Sequence, residues 1–277
     1  MEKKFVTAND LQIACYIKSP EQARTIFFIH GNSSSSGIWR KQVESPLLSA
    51  YCLITIDLPS HGNSDQLPAD ADFSLPAIGK IMAKVIDQLI NNKPYIICGG
   101  SLGTNIVAEA LSVDSLLKGL MLAGPCIAGE GFGLDKMILQ GADVTAVFAE
   151  NVPQELVNKY AKETSISKDE KDADLFLEDY YAVKGNFRSS LYATIASGSY
   201  NDEIEILRLK NCPICIVFGK DEKVVNTNYL VGAPVNLWNN ITYRIPRASH
   251  LVNIDAPEPF NELLAEFAKD LFTKGVA

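Results

Sequence analysis

Short apolar runs recur along the chain, each bounded by turn-forming residues. They fall at residues 25–29, 51–56, 95–98, 120–123, 214–218 and 241–245. Continuous apolarity over so few residues predicts strands buried on both faces. Between them lie longer stretches with helical spacing. Residues 75–90 put Ile78, Ile81, Met82, Val85, Ile86, Leu89 and Ile90 on one face, and Asn91-Asn92-Lys93-Pro94 stops the helix. Residues 104–111 predict a second helix. Residues 259–272 predict a third, with Phe260, Leu263, Leu264, Phe267 and Leu271 aligned. At the start, residues 5–8 and 11–17 flank the turn pair Asn9-Asp10 and predict an antiparallel hairpin. Strands alternating with helices predict an α/β fold with a mostly parallel central sheet flanked by helices.

The alternation breaks after the strand at 120–123. From Cys126 to Asn201 only helical patterns follow, at 145–150, 154–163, 172–183 and 188–196, with Pro153 at a favoured helix start. This block predicts an inserted helical cap, residues 126–201, within a core domain of residues 1–125 and 202–277. Insertion between two sheet strands places it over the carboxyl edge of the sheet, where ligands bind in α/β folds. Its aromatics, among them Phe148, Tyr160, Phe176 and Tyr180, read first as cap core and second as pocket lining.

Composition narrows the function classes. The chain has 277 residues, 47% hydrophobic and 21% charged, enough for one sizeable core. A net charge of −8 with no basic run argues against nucleic acid and anionic membrane surfaces as partners. No apolar stretch reaches the roughly 20 residues that span a bilayer. The opening Met-Glu-Lys-Lys-Phe has no apolar signal segment, so a cytoplasmic protein is expected. Most of the six cysteines lie in apolar runs, and Cys212-Pro-Ile-Cys215 enters a strand rather than opening a helix. They read as core thiols, without disulfides. The three histidines, His30, His61 and His250, show no metal-ligand spacing, and no metal or cofactor is expected.

Gly99-Gly100-Ser101-Leu102-Gly103 carries the chemistry. It stands between a predicted strand and a predicted helix, and G-x-S-x-G in that setting forms a tight turn that pushes Ser101 out at the sheet edge. Side chains at Gly99 or Gly103 would strike the neighbouring elements. The Leu102 N–H and the positive helix end lie where an oxyanion would form. A serine is a weak nucleophile alone. It needs a general base, and the base needs a carboxylate to orient it. His250 follows the strand 241–245, and Asp221-Glu222 follows the strand 214–218, so both fall at the same edge as Ser101. The strand 25–29 runs into His30-Gly31-Asn32-Ser33-Ser34-Ser35-Ser36-Gly37, which lacks the Gly-Lys-Ser/Thr of a phosphate loop. His30 reads as a brace for this loop.

The order Ser…Asp/Glu…His, with the His-Gly-Asn loop, resembles the α/β-hydrolase superfamily over nearly the whole chain. Within it, the sequence is similar to the α/β-hydrolase-type N-acyl homoserine lactonases. The likeness rests on His30-Gly31-Asn32-Ser33-Ser34-Ser35, Ser101-Leu102-Gly103 and Gly119-Leu120-Met121-Leu122-Ala123-Gly124-Pro125. Val147-Phe148-Ala149-Glu150, Tyr160-Ala161 and Asn236-Leu237-Trp238 add to it. The resemblance implies Ser101 as nucleophile, His250 as base, and Asn32 and Leu102 N–H groups as oxyanion donors. It also implies Tyr160 as a substrate contact. Many α/β-hydrolases carry the acid three residues after a glycine, which from Gly219 is Glu222, with Asp221 turned away. Three positions depart from the pattern: Gly100 where a large aromatic is expected, Thr104 where a second glycine is expected, and Ser60 in place of a loop glycine. Gly100 implies extra space beside Ser101, as part of the substrate pocket.

The resemblance implies acyl transfer without cofactor on a small-molecule ester, with the lactone ring of an N-acyl homoserine lactone foremost. A general carboxylesterase shares every catalytic residue and differs in the cap. A ligand receptor on the same fold is the alternative from another class. Sustained turnover would separate it from both.

Overall fold

In a computed structural model of the protein, which describes residues 1–111, 115–165 and 169–273, eight strands form one sheet. They are β1 (Glu2–Ala8), β2 (Leu11–Lys18), β3 (Thr25–Ile29), β4 (Cys52–Ile56), β5 (Tyr95–Gly100), β6 (Leu117–Ala123), β7 (Ile214–Gly219) and β8 (Leu237–Ile245). The spatial order is β1-β2-β4-β3-β5-β6-β7-β8. The hairpin β1–β2 and the β2–β4 pair are antiparallel, and every other pair is parallel. The carboxyl ends of the parallel strands therefore share one edge.

Strand side chains alternate between two hydrophobic layers. In β3, Phe27 and Ile29 enter one layer, and Ile26 and Phe28 the other. The helices α1 (Arg40–Val43), α2 (Leu75–Leu89) and α3 (Leu102–Glu109) follow the first strands. The apolar stripe of α2, including Ile78, Met82 and Val85, packs into the first layer with Ile106 and Val107 of α3. Between β6 and β7 run α4 (Leu134–Met137), α5 (Thr145–Phe148), α6 (Gln154–Thr164), α7 (Glu170–Ala182), α8 (Phe187–Ala196) and α9 (Glu203–Lys210). After β8 come α10 (Val252–Asp255) and α11 (Pro257–Thr273), whose Phe260, Leu264 and Phe267 fill the second layer.

Several elements differ from the sequence pattern, β8, β6 and α9 among them. β8 begins four residues earlier than the apolar run at 241–245, at Leu237. Asn239 and Asn240 interrupt the pattern because both take positive φ, 57°, in a register shift that still lets Trp238 pack against Phe267. β6 extends back through Lys118 and Gly119. α9, too short to show a period, is held by its ends. Asp202 Oδ1 accepts from Glu205 N at its start, and Asn211 closes it at φ 49°. All six cysteines are free thiols, and Cys126 alone is not buried. Among the described residues no helix is long and apolar enough to cross a membrane.

Candidate active site

Ser101 sits between β5 and α3 with φ 49° and ψ −124°, a conformation that side chains rarely adopt. The turn is tight because its neighbours are glycines. A Cβ on Gly99 would lie 2.7 Å from the Gly103 carbonyl, and one on Gly103 would strike the carbonyls of Ile29 and His30. Ser101 Oγ–H donates to His250 Nε2 at 2.9 Å, and His250 Nδ1–H donates to Glu222 Oε2 at 3.0 Å. An ionised carboxylate can only accept, so it fixes this tautomer and leaves Nε2 free to take the serine proton. The His250 and Glu222 side chains are 2% and 1% exposed.

The register after β7 gives the adjacent acids different settings. Glu222 Oε1 accepts from the N–H groups of Val224, at 2.8 Å, and Val225, at 3.2 Å, while Oε2 meets His250. Asp221 is exposed, and its N–H donates to the Ala248 carbonyl. Burial raises the Glu222 carboxyl, but the charge and hydrogen bond of His250 outweigh it and hold the group below the usual range. Burial likewise disfavours the His250 imidazolium, but Glu222, with Cys126, outweighs it and raises the base above its ordinary value.

Asn32 and Leu102 line the same pocket as Ser101 and His250. Leu102 opens α3, so its N–H has no acceptor within the helix. The Asn32 side chain donates to the Val147 carbonyl at 2.6 Å, tying this loop to α5. Two buried histidines brace the loop. His30 Nε2 accepts from Leu58 N at 2.9 Å, and His61 Nε2 accepts from Ser33 N at 3.2 Å. Burial lowers the pKa of both, which keeps these nitrogens as acceptors. Ser60, standing where a glycine was expected, takes φ 67°, and its Oγ accepts from Leu67 N at 3.0 Å.

Above Ser101 lies a pocket lined by Leu75, Met137, Ile138, Val147, Phe148 and Ile195 among others. Tyr160, on α6, is buried in its wall, and burial pushes its phenol pKa up, so it stays protonated. Tyr180 is core of the helical segment, Phe176 is buried at the wall of a small chamber beside Ser101, and Tyr181 is exposed.

The space expected beside Gly100 is narrowed by Trp39 to a small chamber that both residues line. A Cβ there would lie 3.3 Å from Cζ2 of Trp39, which ends a 3-10 turn at Ser36–Trp39. The aromatic missing from the turn is supplied by another element, and spacing along the sequence could not reveal that. Cys126, also unmarked by motif, places Sγ 3.8 Å from Ser101 Oγ. Asn105 donates from Nδ2 to the Cys126 carbonyl and to Glu203 Oε2, at 2.7 and 2.8 Å.

The model of the alpha/beta hydrolase fold family matches residues 24–257. Among curated proteins, the uncharacterized hydrolase YugF of Bacillus subtilis is 23% identical over 89% of this chain and 90% of its own length. The 3-oxoadipate enol-lactonase 1 of Acinetobacter baylyi is 23% identical, covering 94% of both. Among solved structures, a mutant of the N-acyl homoserine lactonase AidH complexed with N-hexanoyl homoserine lactone superposes with a TM-score of 0.86. It is 27% identical and covers 98% of each chain.

Proposed function

The chain belongs to the α/β-hydrolase fold family, and we propose that within it the protein is a serine-dependent carboxylic ester hydrolase that opens the lactone ring of N-acyl homoserine lactones. One observation carries this reading: the hydrogen-bonded line Ser101–His250–Glu222 lies at the floor of a largely apolar pocket. The likeness to AidH over nearly the whole chain supports the lactone as substrate.

In the proposed reaction Ser101 Oγ attacks the ring carbonyl as His250 Nε2 takes its proton. Glu222 stabilises the imidazolium. The N–H groups of Asn32 and Leu102 hold the oxyanion, a type of contact whose loss costs on the order of 10²–10³ in rate. The ring C–O bond breaks, and His250 returns the proton to the leaving alkoxide. Water, deprotonated by His250, then cleaves the acyl-enzyme and releases the hydroxy acid. Helices α4 to α8 act as a cap whose apolar wall takes the acyl chain, and Tyr160 offers its hydroxyl to the substrate.

The test is to incubate the protein and Ser101→Ala with N-acyl homoserine lactones of several chain lengths and with short linear esters. Products are identified by mass. Gain of one water with the acyl chain retained, lost in a folded Ser101→Ala protein, is expected. Release of free fatty acid, or turnover of linear esters alone, overturns the lactone assignment. Turnover by Ser101→Ala overturns the mechanism.

A further inference from the structure

A second, smaller chamber opens beside Ser101. It is lined by Ser34, Trp39, Gly100, Tyr160 and Phe176, together with Asn32 of the oxyanion loop. It differs from the apolar pocket in one respect: two of its residues carry buried polar atoms that no described residue satisfies. Among the described residues Ser34 Oγ and Trp39 Nε1 have no hydrogen-bond partner, and the two residues are 4% and 1% exposed. A buried donor left unmet costs on the order of 1–3 kcal/mol, so such atoms at a ligand cavity need a reason. Two carbons of the Trp39 ring, Cζ2 and Cη2, lie 3.3 and 3.5 Å from where a Cβ on Gly100 would stand, so the ring walls the chamber beside the residue before Ser101.

We propose that Ser34 Oγ–H and Trp39 Nε1–H form a donor pair that binds a hydrogen-bond acceptor of the substrate close to the scissile carbonyl. The inference rests on the reading of Ser101 as nucleophile and deepens it. The substrate is bipartite, with an apolar chain for the large pocket and an acceptor-bearing group for the small chamber. An amide carbonyl next to the ester is such a group. Indole N–H can only donate, so a substrate with no acceptor there leaves it unmet. Discrimination built on this kind of penalty exceeds what an apolar wall achieves. Ser34 and Trp39 are thus specificity residues, separate from the proton relay.

Two matched substrate pairs test this. The first is N-hexanoyl homoserine lactone against α-heptyl-γ-butyrolactone. The second is methyl N-hexanoylglycinate against methyl nonanoate. Each pair keeps the chain length and removes the amide. The variants are Ser34→Ala, which keeps the fold with little change in volume, and Trp39→Phe, which keeps an aromatic ring. Each is expected to lower kcat/KM for the amide member of a pair by roughly three- to tenfold, the loss of one hydrogen bond. The alkyl member should change by less than about twofold. Equal losses within a pair, or none with Ser34→Ala, overturn the proposal. The linear pair keeps the outcome separate from the lactone assignment: discrimination on the linear esters alone supports the donor pair while the lactone reading fails. If Trp39→Phe unfolds, Ser34→Ala decides.

Discussion

At the scale of single residues, Asp221 and Glu222 show how little separates a carboxylate buried against a histidine from one left in solvent. They are adjacent and alike in charge, yet one is buried on His250 and the other is exposed. Glu222→Gln is therefore expected to lower kcat by far more than Asp221→Asn. The scale is on the order of 10⁴-fold, as when a triad loses its orienting carboxylate. Steady-state kinetics on the two purified variants checks this, and the reverse ranking would move the acid. The same pair sets a pH dependence. Because Glu222 raises His250, the base is protonated over a wider range, and kcat/KM falls as pH drops through that raised value. In Glu222→Gln the residual activity should show its acidic limb shifted to lower pH. An unshifted limb would mean that another group is titrating.

At the scale of elements, the helical segment is fastened to the core by charge as well as by apolar contact. Asp172 of α7 accepts from Arg40 and from Lys41 of α1, the latter at 2.7 Å, and its side chain is 3% exposed. Lys41 also donates to the Ile254 carbonyl of α10. Burial lowers the pKa of both cations, and the Asp172 carboxylate in direct contact offsets part of their lost hydration. The cations remain partly exposed, which reduces the effect. Asp172→Asn is expected to destabilise by about 1–3 kcal/mol in denaturant titrations. It should also speed proteolysis within α6 to α8 before the core unfolds. Unchanged cleavage there, with a normal midpoint, would show that apolar packing alone holds the segment.

At the scale of the whole molecule, buried ionisable groups bound the stable pH range. Burial keeps Glu203 largely neutral, raising it to about 8, while Asn105 and Ala128 N–H bond its Oε2. Its folded value lies above its unfolded one, so its contribution is full below about pH 4.5 and is lost as pH rises to about 8. His30 and His61 have lowered values. They bind protons more readily in the unfolded chain, so stability falls as pH drops below about 6.5. Glu203→Gln should flatten the alkaline side, with a gain over wild type that grows from pH 5 to pH 9 and reaches on the order of 4–5 kcal/mol. Thermal melts across that range check it. A constant offset would mean that Glu203 is ionised in the folded protein.

The sequence by itself determined the sheet strands, the long helices and the turn at Ser101. Each is a local matter. A buried strand must be apolar throughout, an amphipathic helix must show its period, and a strained turn between strand and helix must have glycines where backbones nearly touch. The sequence also placed His30 as a brace, because the loop after β3 turns at once. Features that depend on segments distant in sequence were decided by tertiary structure. Trp39 walls the place beside Gly100 from more than sixty positions away. Glu203 and Asn105 meet behind Cys126, and Asp172 joins α7 to α1. β8 is longer than its apolar run because Trp238 finds Phe267 across a register shift. Periodicity records which face of an element is buried. Which partner buries it, and which donor is left unmet, follow only once the layers have closed on one another.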